Sequence, residues 1–215
     1  MELLRRLFGS APSRLADEPT RWVVVDTETT GLDPSRDALL AIGGVAVEAE
    51  GIDAADSFEV VVQHTGTTDA ANLVVHGLGR ETLHAGVPAA AALRAFHAWV
   101  AGAPCVAFHA DFDRQVLTRA AALANVPVPV GPWLDLAPLA AALSPEVPRT
   151  GAGTLDEWLL ASSIECSGRH NAASDALAAA ELLLHLKARA AAQGAVGFDR
   201  LRELGHHRRW LGSHR

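Results

Sequence analysis

An apolar strand that ends in acidic residues constrains this chain more than any other feature. Trp22 is followed by three valines, a run typical of a strand that is buried on both faces. The run ends abruptly in Asp26 and Glu28, which precede a turn that contains Gly31. Because side chains alternate along a strand, we expect both carboxylates to project to the same side. Taken alone, this pair is explained equally well by an ordinary acidic turn.

Two carboxylates held this close repel each other, and the repulsion raises the pKa of one of them unless a cation lies between them. Hard divalent cations such as Mg²⁺ prefer oxygen ligands of this kind. The end of the strand therefore predicts a metal site, provided that further carboxylates converge on it.

Length and composition limit the class of protein. A chain of 215 residues with 49% hydrophobic residues fits one domain with a substantial core. The formal net charge of −7 excludes the overall basic surface of non-specific DNA binders. It remains compatible with an enzyme that acts on nucleic acid, because bound cations supply local positive charge. Cys105 and Cys166 form no C-x-x-C motif, so neither a zinc site nor a disulfide framework is expected.

The organisation of the chain is predicted as three parts. Residues 1–20 are expected to be an N-terminal extension, 21–190 the folded domain and 191–215 a basic C-terminal tail, for which a solvated helix is an equally good interpretation. No signal peptide and no stretch of membrane-spanning length is recognisable, which predicts a cytoplasmic protein without membrane contact.

The order of apolar segments predicts an α/β fold. Leu39–Val47 and 58–63 follow the first strand at short distances and indicate an antiparallel meander, with a bulge or close backbone approach at 43–44. Short strands at 105–108 and 133–136 then alternate with helices. This pattern predicts a mixed central β-sheet flanked by helices.

Asp113 is a candidate third carboxylate. On a helical projection it falls inside the apolar arc around Val116, whereas Asp111 falls on the polar side and is explained as an N-cap. A buried carboxylate is costly unless it has a partner or a metal. The alternative for Asp113 is a helix-start aspartate that is stabilised by the helix dipole.

His170 and Asp175 open the longest predicted helix, residues 171–192. Five helical residues span about 500°, so the two side chains would not share a face if both were helical. We therefore place His170 in the preceding loop and Asp175 in the first turns. A rigid carboxylate suits a metal ligand, and a mobile histidine suits a base. With ten histidines in the chain, an ordinary loop residue is the alternative for His170.

Five stretches in combination resemble the DEDDh 3′–5′ exonucleases of the ribonuclease H-like fold, above all the proofreading (epsilon) type of bacterial DNA polymerase III. They are VVDTETTGL (24–32), VHGL (75–78), FDRQVL (112–117), GTLDEWL (153–159) and RHNAASDA (169–176). The resemblance covers roughly residues 21–188. Two departures from the family pattern are Phe108-His109, where the family often has His-Asn, and Ala41, where it often has Glu.

The resemblance implies two divalent ions, Mg²⁺ or Mn²⁺, and a 5′-mononucleotide product. It implies His170 as general base, and the chain has no tyrosine for the sister subfamily's variant. The implied metal ligands are Asp26, Glu28, Asp113 and Asp175, and the candidate substrate contacts are Thr29, Leu32, His76 and Leu78.

The expected substrate is a single-stranded or frayed 3′ end of DNA, and a DNA polymerase subunit is the expected protein partner. An RNA or oligoribonucleotide exonuclease of the same family is the alternative, because the motifs are common to both. A catalytically silent, nuclease-like binding module is the alternative of another class. It predicts the loss of at least one ligand, and all four carboxylates and His170 are present.

Overall fold

The computed structural model describes residues 18–66, 77–127, 131–147, 153–166 and 170–212, with side chains up to residue 206. The strands within these ranges are β1 (Trp22–Thr29), β2 (Leu39–Val47), β3 (Ile52–Val61), β4 (Cys105–Ala107) and β5 (Trp133–Asp135). The helices within them are α1 (Arg80–His84), α2 (Ala89–Val100), α3 (Ala110–Ala124), α4 (Leu136–Leu143), α5 (Leu155–Ala161), α6 (Ala172–Ala192) and α7 (Phe198–Gly212).

The described strands form one mixed sheet in the order β3-β2-β1-β4-β5. β1, β2 and β3 are antiparallel neighbours, which confirms the predicted meander, and β4 and β5 add in parallel. β3 begins at Ile52, six residues before the predicted 58–63. The early part of β3 was missed because it lies at the edge of the sheet, where a strand exposes polar side chains and has no continuous apolar run.

Helices cover both faces of the sheet and divide the core into two layers. Trp22 and Val24 of β1 pack with α4, α5, α6 and α7, on what we call the α6 face. Val23 and Val25 pack with α2 and α3, on what we call the α3 face. The alternation along β1 therefore decides which helices each side chain meets, and it continues into the acidic end of the strand.

A glycine lets α6 approach the sheet closely. Gly43 of β2 pairs with Asp26 of β1, and a Cβ on Gly43 would lie 2.1 Å from the carbonyl carbon of Ala172. No other residue fits that contact without displacing backbone, so the predicted close approach is confirmed. Asn171 caps the helix here, because its Oδ1 accepts hydrogen bonds from Ala173 N and Ser174 N, each at 3.1 Å. The first turn of α6 is thus held beside the end of β1.

The C-terminal segment packs against the domain. Phe198 and Leu201 of α7 are buried, and the Phe198 ring meets Trp22 edge-on with ring centroids 5.1 Å apart. Gly205 lies against Leu139 of α4. The segment is thus a helix, as the alternative interpretation expected, but one side of it is buried against the domain and the other side is exposed. None of the described helices is long and apolar enough to cross a membrane.

Candidate metal centre

Three carboxylates from two distant parts of the chain meet at the end of β1. Asp26, Glu28 and Asp175 each offer an oxygen, and these atoms all lie within 4.8 Å of one another. Strand alternation directs Asp26 and Glu28 to the α6 face, and Asp175 reaches them from the first turn of α6. We call these three residues the carboxylate cluster. The structure thus brings together three of the four metal ligands implied by the sequence resemblance.

The cluster has the chemistry of a site for hard cations. Glu28 and Asp175 are each only 6% exposed, so water screens their charges poorly. Three ionised carboxylates at this spacing are unfavourable unless a cation or a proton joins them. Divalent ions such as Mg²⁺ and Mn²⁺ favour carboxylate oxygens, so the donor set fits the implied metal.

Asp113 is not one of the three cluster residues and lies on the α3 face. It is 4% exposed, which confirms its predicted burial, and its Oδ1 accepts a 2.7 Å hydrogen bond from the Thr27 hydroxyl. Thr27 projects away from its neighbours Asp26 and Glu28. Burial raises the pKa of Asp113 to about 7, the Thr27 hydrogen bond opposes this shift, and the nearby charge of Asp135 adds to it.

The start of α3 differs from the expectation for Asp111. The helix begins at Ala110, so the N-cap is His109 and the predicted capping role of Asp111 is wrong. Asp111 instead lies on the exposed side of the first turn, where it pairs with Arg114 at 3.1 Å. Its predicted polar position is confirmed.

His170 occupies the predicted position before α6. It is exposed, has a φ of 67° and immediately precedes the N-cap Asn171. Its backbone N–H donates a 3.2 Å hydrogen bond to Oδ2 of Asp175. The cluster carboxylate therefore holds the backbone of His170 in place while the imidazole stays open to solvent.

The candidate substrate contacts divide into exposed and buried residues. Leu32 is 93% exposed, whereas Leu78 is 7% exposed and packs with Leu40 and Leu83. A side chain buried in this way is not available to contact a substrate directly, whereas that of Leu32 is open to solvent. Thr29 is buried, and its hydroxyl donates to the Gly31 carbonyl at 2.6 Å. His76 lies outside the described residues.

Sequence reasoning missed two residues at the same edge of the sheet. Asp135 ends β5, and its Oδ1 accepts hydrogen bonds from the backbone N–H groups of His109 and Ala137, both at 3.1 Å. His109 has a φ of 60°, and its Nε2 lies 3.4 Å from the Gly153 carbonyl oxygen. The sequence signal for Asp135 is an aspartate between a short strand and a helix, which is a typical N-cap. His109 gave no such signal.

A cavity of about 650 Å³ lies away from the cluster, along β5 and between α3 and α7. Trp133, Arg114 and Arg202 line it, and none of the cluster carboxylates does. The two arginines are ion-paired with Asp111 and Asp199. The cavity therefore presents little unbalanced charge, and the carboxylate cluster lies outside it.

The family model for exonucleases (RNase_T) matches residues 23–183. The chain is 33% identical over 199 residues to a DNA polymerase III subunit epsilon-like protein of Rhodobacter capsulatus, covering 92% of this chain and 28% of that one. It is 30% identical over 195 residues to a PolC-type DNA polymerase III of Bacillus subtilis, covering 90% and 13%. The chain thus spans less than a third of the length of these relatives.

Among solved structures, E. coli exonuclease I in complex with a dT13 oligonucleotide resembles this chain with a TM-score of 0.68. The identity is 19%, and the match covers 81% of this chain and 42% of that one. This likeness confirms the predicted ribonuclease H-like exonuclease fold. The family model matches residues 23–183, a segment that contains all three residues of the cluster. On that evidence the chain belongs to the exonuclease family.

Proposed function

We propose that this chain is a two-metal-dependent 3′–5′ exonuclease of the DEDDh type, which removes 5′-mononucleotides from single-stranded or frayed 3′ ends of DNA. The observation that carries the proposal is the carboxylate cluster in a member of the exonuclease family. DNA is favoured over RNA because the similar proteins are named for DNA polymerase III and the similar solved structure holds a dT13 oligonucleotide. The same names support a DNA polymerase subunit as the partner.

Asp26, Glu28 and Asp175 would hold the metal ions, and we propose Asp113 as the fourth ligand. Two bound Mg²⁺ or Mn²⁺ ions would activate a water molecule and stabilise the charge on the phosphate and the leaving 3′ oxygen. Without a cation, burial keeps Asp113 partly protonated near neutral pH. A cation beside it would favour its ionised form, as ligation requires.

His170 is proposed as the general base. Its exposed imidazole can accept a proton from the attacking water and pass it to solvent. The hydrogen bond from its backbone to Asp175 ties the base to the same carboxylate that would hold the metal. Base and ligand are thereby positioned by one short segment of chain.

Thr29, Leu32, His76 and Leu78 remain the proposed surroundings of the terminal nucleotide. Among the three of these residues that the structure describes, Leu32 has the exposed side chain that can pack against a base. Thr29 and Leu78 are buried and would act by shaping the backbone that carries the contacts.

The proposal is tested with 5′-labelled single-stranded DNA and RNA oligonucleotides of one sequence, with Mg²⁺ or Mn²⁺. We expect a DNA ladder that shortens from the 3′ end and is abolished by EDTA and by Asp26→Ala. The matched control is Asp111→Ala, which removes an exposed aspartate outside the cluster and should retain activity. If the RNA oligonucleotide were cleaved faster than the DNA, the proposed substrate would be RNA instead of DNA. Folded protein that cleaves neither would overturn the nuclease proposal in favour of a binding module.

A further inference from the structure

The loop that follows β1, residues 30–38, is closed at its base by two hydrogen bonds. The backbone N–H of Thr30 donates to the Ala38 carbonyl at 3.0 Å. In return, the backbone N–H of Ala38 donates to the Thr30 hydroxyl at 2.9 Å. The loop begins two residues after Glu28, so its base is attached directly to the carboxylate cluster.

The Asp37 side chain fills the inside of this loop. Its Oδ2 accepts a 2.8 Å hydrogen bond from the backbone N–H of Asp33. A Cβ on Gly31 would lie 2.5 Å from the same oxygen, so the glycine gives the carboxylate room. The loop is therefore packed around a polar group.

Arg119 holds the outer side of the loop from α3. Its Nη1 donates to the Asp37 carbonyl and its Nη2 to the Arg36 carbonyl, each at 2.9 Å. A planar guanidinium suits two neighbouring acceptors, because both donors are already oriented. Arg119 belongs to none of the stretches that carry the sequence resemblance.

This hydrogen-bonded loop carries one large apolar side chain, which the described part of the chain leaves uncovered. Leu32, two residues after Thr30 in this loop, is 93% exposed. A large apolar side chain held in water by a hydrogen-bonded loop is stabilised only when a ligand covers it. Holding it beforehand reduces the entropy cost of binding.

We infer that Arg119 is a positioning residue for substrate, which clamps loop 30–38 through two carbonyl groups and so keeps Leu32 ready to receive the terminal base of a nucleic-acid 3′ end. This inference rests on the proposed function and adds to it a residue that touches neither metal nor substrate. Its effect is exerted on binding, because the clamp changes neither the cluster carboxylates nor His170.

The test compares Arg119→Ala with Arg36→Ala. Both remove one positive charge near the loop, but Arg36 contributes only its carbonyl to the clamp. Its side chain is 78% exposed and makes an exposed ion pair with Asp33 at 3.2 Å, a contact of little energetic weight. If loss of the clamp leaves about a tenth of the loops competent, KM for single-stranded DNA rises about tenfold. We expect kcat to change less than about twofold, as for lost ground-state binding. Arg36→Ala should match the unmodified protein.

Two further variants separate positioning from a structural role. Arg119→Lys keeps the charge without the planar fork, so it should restore part of the loss in KM. In a Leu32→Ala background, Arg119→Ala should raise KM no further, because the clamp acts through Leu32. Effects that multiply, or an Arg119→Ala protein that matches Arg36→Ala, would overturn the inference. Thermal unfolding checks that each variant is folded, and Arg119→Lys carries the test if Arg119→Ala is not.

A protein that is not a nuclease would give a different pattern of results. If the unmodified protein cleaves no oligonucleotide, the nuclease proposal falls, and the clamp is judged by fluorescence anisotropy with labelled single-stranded DNA. A Kd about tenfold weaker in Arg119→Ala would still support the clamp. An unchanged Kd, or no binding by any variant, would overturn it.

Discussion

Acidic side chains are neutralised in different ways on the two faces of β1. On the α6 face, Asp26 and Glu28 meet Asp175 in a group whose oxygens lie within 4.8 Å of one another. On the α3 face, one residue along, Thr27 donates its hydroxyl to the single buried carboxyl of Asp113. The first arrangement concentrates negative charge, and the second satisfies one acid with a neutral donor.

The difference shows how two buried acidic sites can have different requirements. Asp113 can remain in the core without a metal, because burial raises its pKa to about 7 and a proton can neutralise it. The three carboxylates of the cluster cannot be neutralised by one proton, because two negative charges would remain. The arrangement on the α6 face therefore suits a multivalent cation, whereas a single proton is sufficient for Asp113 on the α3 face.

The largest effect is expected when one negative charge is removed from the carboxylate cluster on the α6 face. Glu28→Gln removes one cluster charge at nearly constant shape, and its lost metal contact should cost several kcal/mol of transition-state stabilisation, about a thousandfold in kcat. In EDTA the same variant should unfold at a higher temperature, because repulsion in the cluster is reduced. Steady-state kinetics and thermal unfolding measure the two effects.

Thr27→Val is the matched variant on the α3 face. It removes the donor to Asp113 and should lower stability by about 1–3 kcal/mol, as expected for a buried group that loses its hydrogen bond. If Glu28→Gln instead destabilised the metal-free protein as much as Thr27→Val, the cluster would not be a repulsive group.

A smaller effect is expected from substitution of Gly43 and Gly44, neighbours in β2 that face opposite layers of the core. Gly43→Ala would place a Cβ 2.1 Å from the Ala172 backbone, so α6 must shift and carry Asp175 away from Asp26. We expect a 10–100-fold loss of metal affinity, of the size seen when supporting residues of metal sites are changed. Calorimetric titration with Mn²⁺ measures it.

Gly44→Ala is the control for the opposite face. Its Cβ would meet the Trp99 ring at 2.7 Å, a side chain of the α3 face that lies away from the cluster. It should reduce stability by about 1–3 kcal/mol through overpacking and leave metal affinity unchanged. Equal losses of metal affinity in both variants would show that the α6 contact has no special role.

The smallest effect is the pH dependence of the metal-free protein. The pKa of Asp113 is about 7 in the folded state, above its ordinary value of 3.8, so the folded state binds more protons between these values. Stability should therefore fall as pH rises from about 4 to about 7. Asp113→Asn should flatten this slope in thermal unfolding with EDTA. If Asp113→Asn kept the full slope, the pH dependence of stability would have to come from another group.

The same variant sharpens the comparison once metal is added. If Asp113 is the fourth ligand, added Mn²⁺ should stabilise Asp113→Asn less than the unmodified protein near pH 7.5. Equal stabilisation would confine the metal to the cluster on the α6 face.

Local features of the structure were predicted well because neighbouring residues determine them. The capping box of α5 is a feature of this local kind: Thr154 and Glu157 are three residues apart, and both of its hydrogen bonds form, at 3.2 and 3.0 Å. A hydroxyl and a carboxylate three residues apart make this arrangement without help from the rest of the chain. The exposed early part of β3 carried no such local signal and was missed.

Features that depend on distant partners were predicted less well. The sequence of α7 is rich in charged residues, yet Phe198 packs on Trp22 and Gly205 on α4. The cap of α3 also shifted from Asp111 to His109, whose backbone N–H is held by Asp135 of another strand. Such contacts involve residues far apart in sequence, and no local periodicity reports them.

By itself, the sequence determined that Asp26 and Glu28 share one side of a buried strand, that Asp113 is buried and that His170 precedes a helix. These follow from alternation and helical period, which are properties of the backbone. The resemblance to a known family implied that Asp175 joins the first pair, but only the tertiary structure showed that it does so from the first turn of α6 and that Asp113 lies on the opposite face with Thr27. The reason is packing: contact between Gly43 and Ala172 fixes where α6 begins, and helix-to-sheet contacts of this kind are set by the whole fold.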